Sequence, residues 1–440
     1  MCLLKRGADS EKRAFKEALK RGVGRCVLQL RTDEGRRKFR PLVLWACSRN
    51  LEYDAQVAGT RAWYLHQMIT QYEDVTPFLR IVEKAMFRTF FCARGCLFDQ
   101  SVELLTLFAE DGHARARTAL QKCYETACEL LQHSGSKAWR FWSYGHDDCV
   151  YWSMRRIIGQ SRMTAKCRAL IKKFDDQFDQ RVKSQNSMRL DVDAPVRVVY
   201  EKIVRGEHVG YPGGVVSRSY LRRKNRFGHV DEIAELGELC MRTRSGRVRA
   251  ELYKLFSFEK GAACLDVGRL MRDARSRRPD LAQSALKVLA EIQSPAVRAF
   301  ALERLSKPGA SAWDVAVLAK NYRDEDEEIM LKVLRGFRRA SSFDRHLAYY
   351  SARDVFDLKT VRKSKDLLRY LYEVTFCSDC RRYNLQAMAA RRMLTDDLLR
   401  ECLYDCNEDT RRYAARLLRR RKARRVIDER PVCPRLRHGL

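Results

Sequence analysis

Proline and glycine are scarce in this chain: 9 and 22 of 440 residues. That excludes a collagen-like fibre and a Pro/Gly-rich low-complexity chain, and it leaves few residues able to interrupt helices. Acidic residues are also short, 56 against 87 Lys and Arg, so the formal net charge is +31. Long apolar runs are missing. No uncharged stretch approaches the roughly 18 residues of a membrane span. The first residues, Met1, Cys2, Leu3, Leu4, Lys5 and Arg6, lack the apolar segment of a secretory signal. The expectation is a cytoplasmic protein with no membrane partner. Histidine is thin as well: eight, scattered singly. There is no His-Glu-x-x-His helix, no phosphate loop of the Gly-x4-Gly-Lys-Ser/Thr type and no Gly-x-Ser-x-Gly elbow. No cofactor, resident metal or catalytic machinery is expected on these grounds.

What the chain does have is arginine, 63 residues against 24 Lys. The guanidinium fork matches phosphate and stacks on bases, so the bias points to nucleic acid, with an acidic protein as the other polyanionic partner. Codon bias with arginine on exposed helix faces explains the same count without a ligand. The 16 cysteines, with no secretory signal, read as reduced and mostly buried thiols. Cys377, Cys380, Cys402 and Cys406 fall within 30 residues, the number a zinc site needs. Cys402 and Cys406 lie four apart on a helix, however, and Cys380 aligns with Thr410 in a repeat, which makes them core positions.

Apolar residues recur at the helical period almost throughout. In residues 10–19, Ala14, Phe15, Ala18 and Leu19 form one stripe. Continuous strand-type alternation is scarce, and no Asn-Gly or Asp-Gly turn joins strand-like runs. The fold class expected is all-α.

A short pattern then repeats: a capping or breaking residue, a small or β-branched position, an arginine, and Ala or Leu three residues on. It occurs at 246–252, 294–302, 378–383 and 408–413, with arginines at Arg249, Arg298, Arg381 and Arg411, and weaker copies lie at 193–197, with Arg197, and at 113–120. The polar residue caps a helix, the apolar positions face a neighbouring helix, and the arginine pairs along the stack. One helical hairpin cannot bury its own apolar stripe, so copies must stack. These residues resemble HEAT repeats, whose second helix commonly begins with an Asp-x-x-Val-Arg-x-x-Ala-like run. The resemblance covers roughly 231–420, and it implies a right-handed α-solenoid of helical pairs. Its arginines are irregularly spaced, by 52, 49, 83 and 30 residues, as if repeats intervene.

Composition divides the chain into a helical region at 1–205, a Gly/Arg-rich loop at 206–229, HEAT-like repeats at 230–422 and a basic disordered tail at 423–440. The loop holds four glycines and Pro212 within residues 206–214. Six basic residues and one acid follow across 205–229, interleaved with aromatics. The binding candidates there are Arg218, Tyr220, Arg222, Arg223, Lys224 and Arg226, with guanidinium groups for phosphate and a ring for a base. A second candidate is Arg419, Arg420 and Arg421, in a segment at 411–437 with twelve basic residues and two acids. That run serves equally as the polar outer face of a terminal repeat.

An enzymatic alternative rests on the aromatic cluster at 139–152. On that alternative Trp139 and Trp142 would cradle a base and Asp147 or Asp148 would stabilise charge at the sugar; HEAT-like DNA glycosylases are the nearest enzymatic family of this architecture. No motif of that family aligns here residue by residue. Aromatic packing between helices accounts for the cluster as simply. The acidic run at 324–328 stands at a helix start, where it complements the dipole. The leading function is a repeat scaffold for nucleic acid, and a protein–protein scaffold is the other alternative.

Overall fold

The computed structural model describes residues 2–51, 61–90, 96–133, 194–209 and 219–428. The aromatic cluster at 139–152, with Trp139, Trp142, Asp147 and Asp148, lies outside the described residues. So do Arg218, the rest of the 210–218 segment, and the tail beyond residue 428. Among the described residues the chain is all-α: 22 α-helices and three short 3-10 turns, with one isolated bridge at Val209. No helix there is long and apolar enough to cross a membrane.

The chain forms two compact units, Met1–Phe174 with Phe376–Leu440, and Asp175–Thr375. The second unit shows how the repeat works. Gly246–Tyr253, Pro279–Leu289, Ala312–Ala319 and Ser342–Arg353 pack one on the next as a row. Pro295–Ser306, Glu327–Gly336 and Lys365–Val374 form a second row, and the chain alternates between the two. This is the paired packing of a helical repeat. The second row buries one stripe: Met330 and Leu334 in one helix and Leu367, Leu368 and Leu371 in the next are fully buried.

Helices this short need explicit ends. Ser294, the first residue of the 294–302 copy, accepts from the N–H of Val297 (3.1 Å), and Ser245, one residue before the 246–252 copy, accepts from that of Val248 (3.4 Å). Ser311 and Asp314 form a reciprocal capping box. The rows also correct the repeat register. Arg249 sits in the first row and Arg298 in the second, so their 49-residue spacing crosses rows and is not a stretched repeat. Within the first row, Gly246, Pro279 and Ala312 open their helices 33 residues apart.

The repeat arginines pair onward. Arg249 forks onto Asp273 (Nε–Oδ2 2.8 Å, Nη2–Oδ1 2.9 Å), and Arg298 reaches Asp326 (2.5 Å) and Glu325 (2.6 Å). Arg381 forks onto Asp405 (3.0 and 2.9 Å), and Arg197 pairs with Glu235. Arg36, Arg249 and Arg411 share a second contact. Each donates to the carbonyls six and five residues before it, tying down the chain that enters its own helix.

The acidic run at 324–328 joins neighbouring elements of the second row. Asp324 accepts from the N–H groups of Arg362, Lys363 and Ser364 (3.0 Å each) and from the Ser364 hydroxyl (2.7 Å). Burial pushes the Asp324 carboxyl up. The Arg362 N–H, the Ser364 hydroxyl and the two other N–H groups outweigh burial and hold it below the usual aspartate value. Its contribution to stability is therefore present above the unfolded pKa, about 3.9, and is lost as pH falls through the lower folded value. Asp324→Asn is expected to lower the urea midpoint at pH 7, with the gap from the parent closing below about pH 4. A gap that stays constant with pH rules out this charge-based role.

In the first unit, the two ends of the chain meet. Cys406 N–H donates to Gly22 O (2.8 Å), Arg25 pairs with Glu401 (2.9 Å), and the Arg411 guanidinium lies 3.6 Å from the Trp63 ring centre. Tyr404 and Cys406 belong to the same core as Phe15, Leu19, Cys26 and Val27. The last repeat is thus covered by the first helices, not capped only by solvent. A Cβ on Gly24 would stand 1.9 Å from Glu401 O, so this contact admits only glycine, although φ is an ordinary −65°. Gly24→Ala is expected to cost about 1–3 kcal/mol by overpacking. Gly336→Ala, with open space around its Cβ, is the control expected to cost nothing in the same urea titration.

Candidate nucleic-acid interface

The segment expected to be a loop through residue 229 contains a helix, Tyr220–Arg226. Tyr220, Leu221 and Lys224 fall on its inner side and are buried. The Tyr220 hydroxyl donates to Ala194 O. Lys224 is 1% exposed and places Nζ 2.8 Å from both oxygens of Glu232. Burial pushes the Glu232 carboxyl up, and Lys224 overrides it and holds that carboxyl below its usual range. Tyr220 and Lys224, two of the sequence candidates, are therefore packing residues here: an apolar pair four residues from a lysine makes one helical turn.

Arg222, Arg223 and Arg226 remain on the outside of this turn. Arg222 is exposed and donates to Ser257 O (2.9 Å), Arg223 is half-buried, and Arg226 is exposed. In the first unit the last helix runs Glu408–Asp428, past the 422/423 boundary drawn from composition. Arg421 is tied to Asp396 (2.6 Å) and to Leu394 O (2.9 Å). Arg419 and Arg420 are exposed. Cys377, Cys380, Cys402, Cys406 and Thr410 are all buried. Burial pushes the Cys406 thiol up.

A stronger basic surface lies where no candidate was drawn. Lys332, Arg335, Arg338 and Arg339 are all exposed, and none has a carboxylate partner among the described residues. They occupy the end of the helix Glu327–Gly336 and the 3-10 turn Phe337–Arg339. Lys332, Arg335 and Arg339, spaced three and four apart, share a face opposite the buried Met330, Leu334 and Phe337. Their charge is hidden in the sequence because five acids precede them at 324–328. The fold uses the first acids of that run internally, on Arg298 and on the chain before Lys365–Val374, which leaves the basic end unbalanced.

No family model matches the chain. No curated protein matches it either. Among solved structures, the crystal structure of an engineered protein, a Northeast Structural Genomics Consortium target, is similar at 12% identity. It covers 94% of this chain and 96% of its own, with a TM-score of 0.25. At that score the likeness carries no weight for fold or function.

The first row of the second unit carries a further array. Lys254, Lys287, Lys320 and Arg353 fall 33 residues apart, each at the end of its helix. Cations there complement the helix dipole. The first three line a cavity of about 430 Å³ with Trp313, Phe343, Leu347 and Tyr350. Lys287 lies 4.6 Å from the Trp313 ring centre and Arg353 4.3 Å from that of Tyr350. Glu251 pairs with Lys254 (2.6 Å), Glu291 with Lys320, and Asp354 with Arg353 (2.9 Å). Burial pushes the Asp354 carboxyl up, against the lowering by Arg353.

Proposed function

We propose that the chain is a helical-repeat scaffold that binds nucleic acid, its second unit built as a right-handed solenoid of HEAT-like pairs. The observation that carries this reading is the exposed group Lys332, Arg335, Arg338 and Arg339 without carboxylate partners among the described residues. By contrast, the repeat arginines Arg249, Arg298 and Arg381 are consumed by forks to Asp273, Asp326 and Asp405. Four neighbouring cations left unpaired repel one another and are relieved by an external polyanion. Three are arginines, whose forks suit phosphate. From Lys332 to Arg339 is about 10 Å along a helix at 1.5 Å per residue, the length of about three phosphate steps of B-DNA at 3.4 Å. Arg222, Arg226, Arg419 and Arg420 add exposed charge in their own units.

A filter-retention assay on the full chain tests the reading, using labelled 30-mers as single strand and duplex in about 50 mM salt. Retention of at least one supports it. Failure to retain DNA or RNA in either form removes it. The base-excision alternative rests on Trp139, Trp142, Asp147 and Asp148, outside the described residues, and no observation here favours it.

A further inference from the structure

Resting on that reading, we infer that the groove between Ala312–Ala319 and Ser342–Arg353 holds a single strand of nucleic acid, its bases on Phe343 and Tyr350 and its phosphates on Arg338 and Arg339. The stripe Phe343, Leu347, Tyr350, Ser351 and Asp354 lines one wall along the length of its helix, and Trp313 and Ala316 line the other. Phe343 is 62% and Tyr350 43% exposed, among the few large apolar side chains so open in the described residues. Phe343 and Tyr350 sit with Leu347 on one wall of the same cavity, and grouped apolar side chains left open beside a groove mark a binding surface.

The wall helix, at 12 residues, is about 18 Å long, enough for several stacked bases. Arg353 lies over one face of Tyr350 and Lys287 over one face of Trp313, which leaves the opposite face of Tyr350 for a base. The groove lining itself is nearly balanced, with Lys254, Lys287 and Lys320 against Glu291 and Asp354. Excess positive charge stands at its end, where the turn Phe337–Arg339 packs on the helix Ser342–Arg353. Apolar rings beside a basic edge match a strand whose bases are free to turn inward; a duplex presents phosphates on both sides and keeps its bases stacked away.

The experiment compares the full chain with Phe343→Ala/Tyr350→Ala, using a fluorescein-labelled oligothymidylate of twelve nucleotides and a 12-bp duplex. The expected result is a loss of about tenfold or more for the oligothymidylate and less than about twofold for the duplex. In the unmodified chain, a 4-thiouridine-containing oligouridylate of the same length, irradiated at long wavelength, is expected to crosslink to peptides holding Trp313, Phe343 or Tyr350. This arm stands even if the double variant fails to fold. Unchanged oligothymidylate affinity in a folded variant, or crosslinks confined elsewhere, overturns the groove assignment while leaving duplex retention, and the general reading, intact. Displacement of the oligothymidylate by a polyglutamate peptide of equal length and concentration also overturns it, in favour of an acidic peptide. No binding of any oligonucleotide overturns both readings.

Discussion

Arg381→Ala is expected to destabilise the protein by about 3–5 kcal/mol, the cost of stranding a charge in the interior. Arg381 is 0% exposed and the Asp405 side chain 2%. The fork of Nε and Nη2 onto Asp405 satisfies both carboxylate oxygens, and the Asn407 N–H adds a 2.8 Å bond. Removing the guanidinium leaves the carboxylate desolvated with only that N–H on it. Arg381→Met/Asp405→Asn removes both charges and keeps volume, so it is expected to cost clearly less than the single alanine. Arg197 offers the surface comparison: its pair with Glu235 is 76% and 37% exposed, and Arg197→Ala is expected to leave the urea midpoint close to the parent's. Urea titrations followed by far-UV circular dichroism read all three. A double variant as unstable as Arg381→Ala contradicts the stranded-charge account.

Lys332→Gln/Arg335→Gln/Arg338→Gln/Arg339→Gln is expected to lower affinity for duplex DNA about 100-fold near 50 mM salt, since four neutralised phosphates regain their counterions. Glutamine is the better test than glutamate. Four new acids at a helix end would oppose the dipole and confuse lost binding with lost structure. All four side chains are exposed, so the urea midpoint is expected to stay close to the parent's. Lys224→Gln, by contrast, removes a buried partner of Glu232 and is expected to change stability more than salt dependence. A quadruple variant that binds as tightly as the parent places the interface elsewhere.

The features legible in the sequence are those set by local chemistry. Apolar spacing gave the helices, and Gly246 and Ser294 marked two of their starts. The Arg beside Val248 and Val297 announced onward pairing, now seen at Asp273 and Asp326. The row each copy occupies was not legible, because Ser-cap and Val-Arg look alike at 245–249 and 294–298 while their packing partners are distant in sequence. The meeting of the chain's ends leaves almost no local trace. Gly22 and Gly24 alone hint at a close approach, and nothing nearby says to what. Local charge balance conceals acids and bases that alternate along the chain but separate in space. The residues at 324–339 average to near neutrality in a window, yet the fold spends the first acids and exposes the bases. Lys224 shows the reverse, a cation in a basic stretch that the fold consumes.

The salt dependence of duplex binding tests the central claim most directly. With the four cations at 332–339 neutralising about four phosphates, log K is expected to fall with log salt at a slope of about −3.6 or steeper. That is a loss of about 150-fold between 50 and 200 mM, and the slope is expected to flatten by about 3 to 4 in the quadruple glutamine variant. A slope near zero, or one that the four substitutions leave unchanged, contradicts the account.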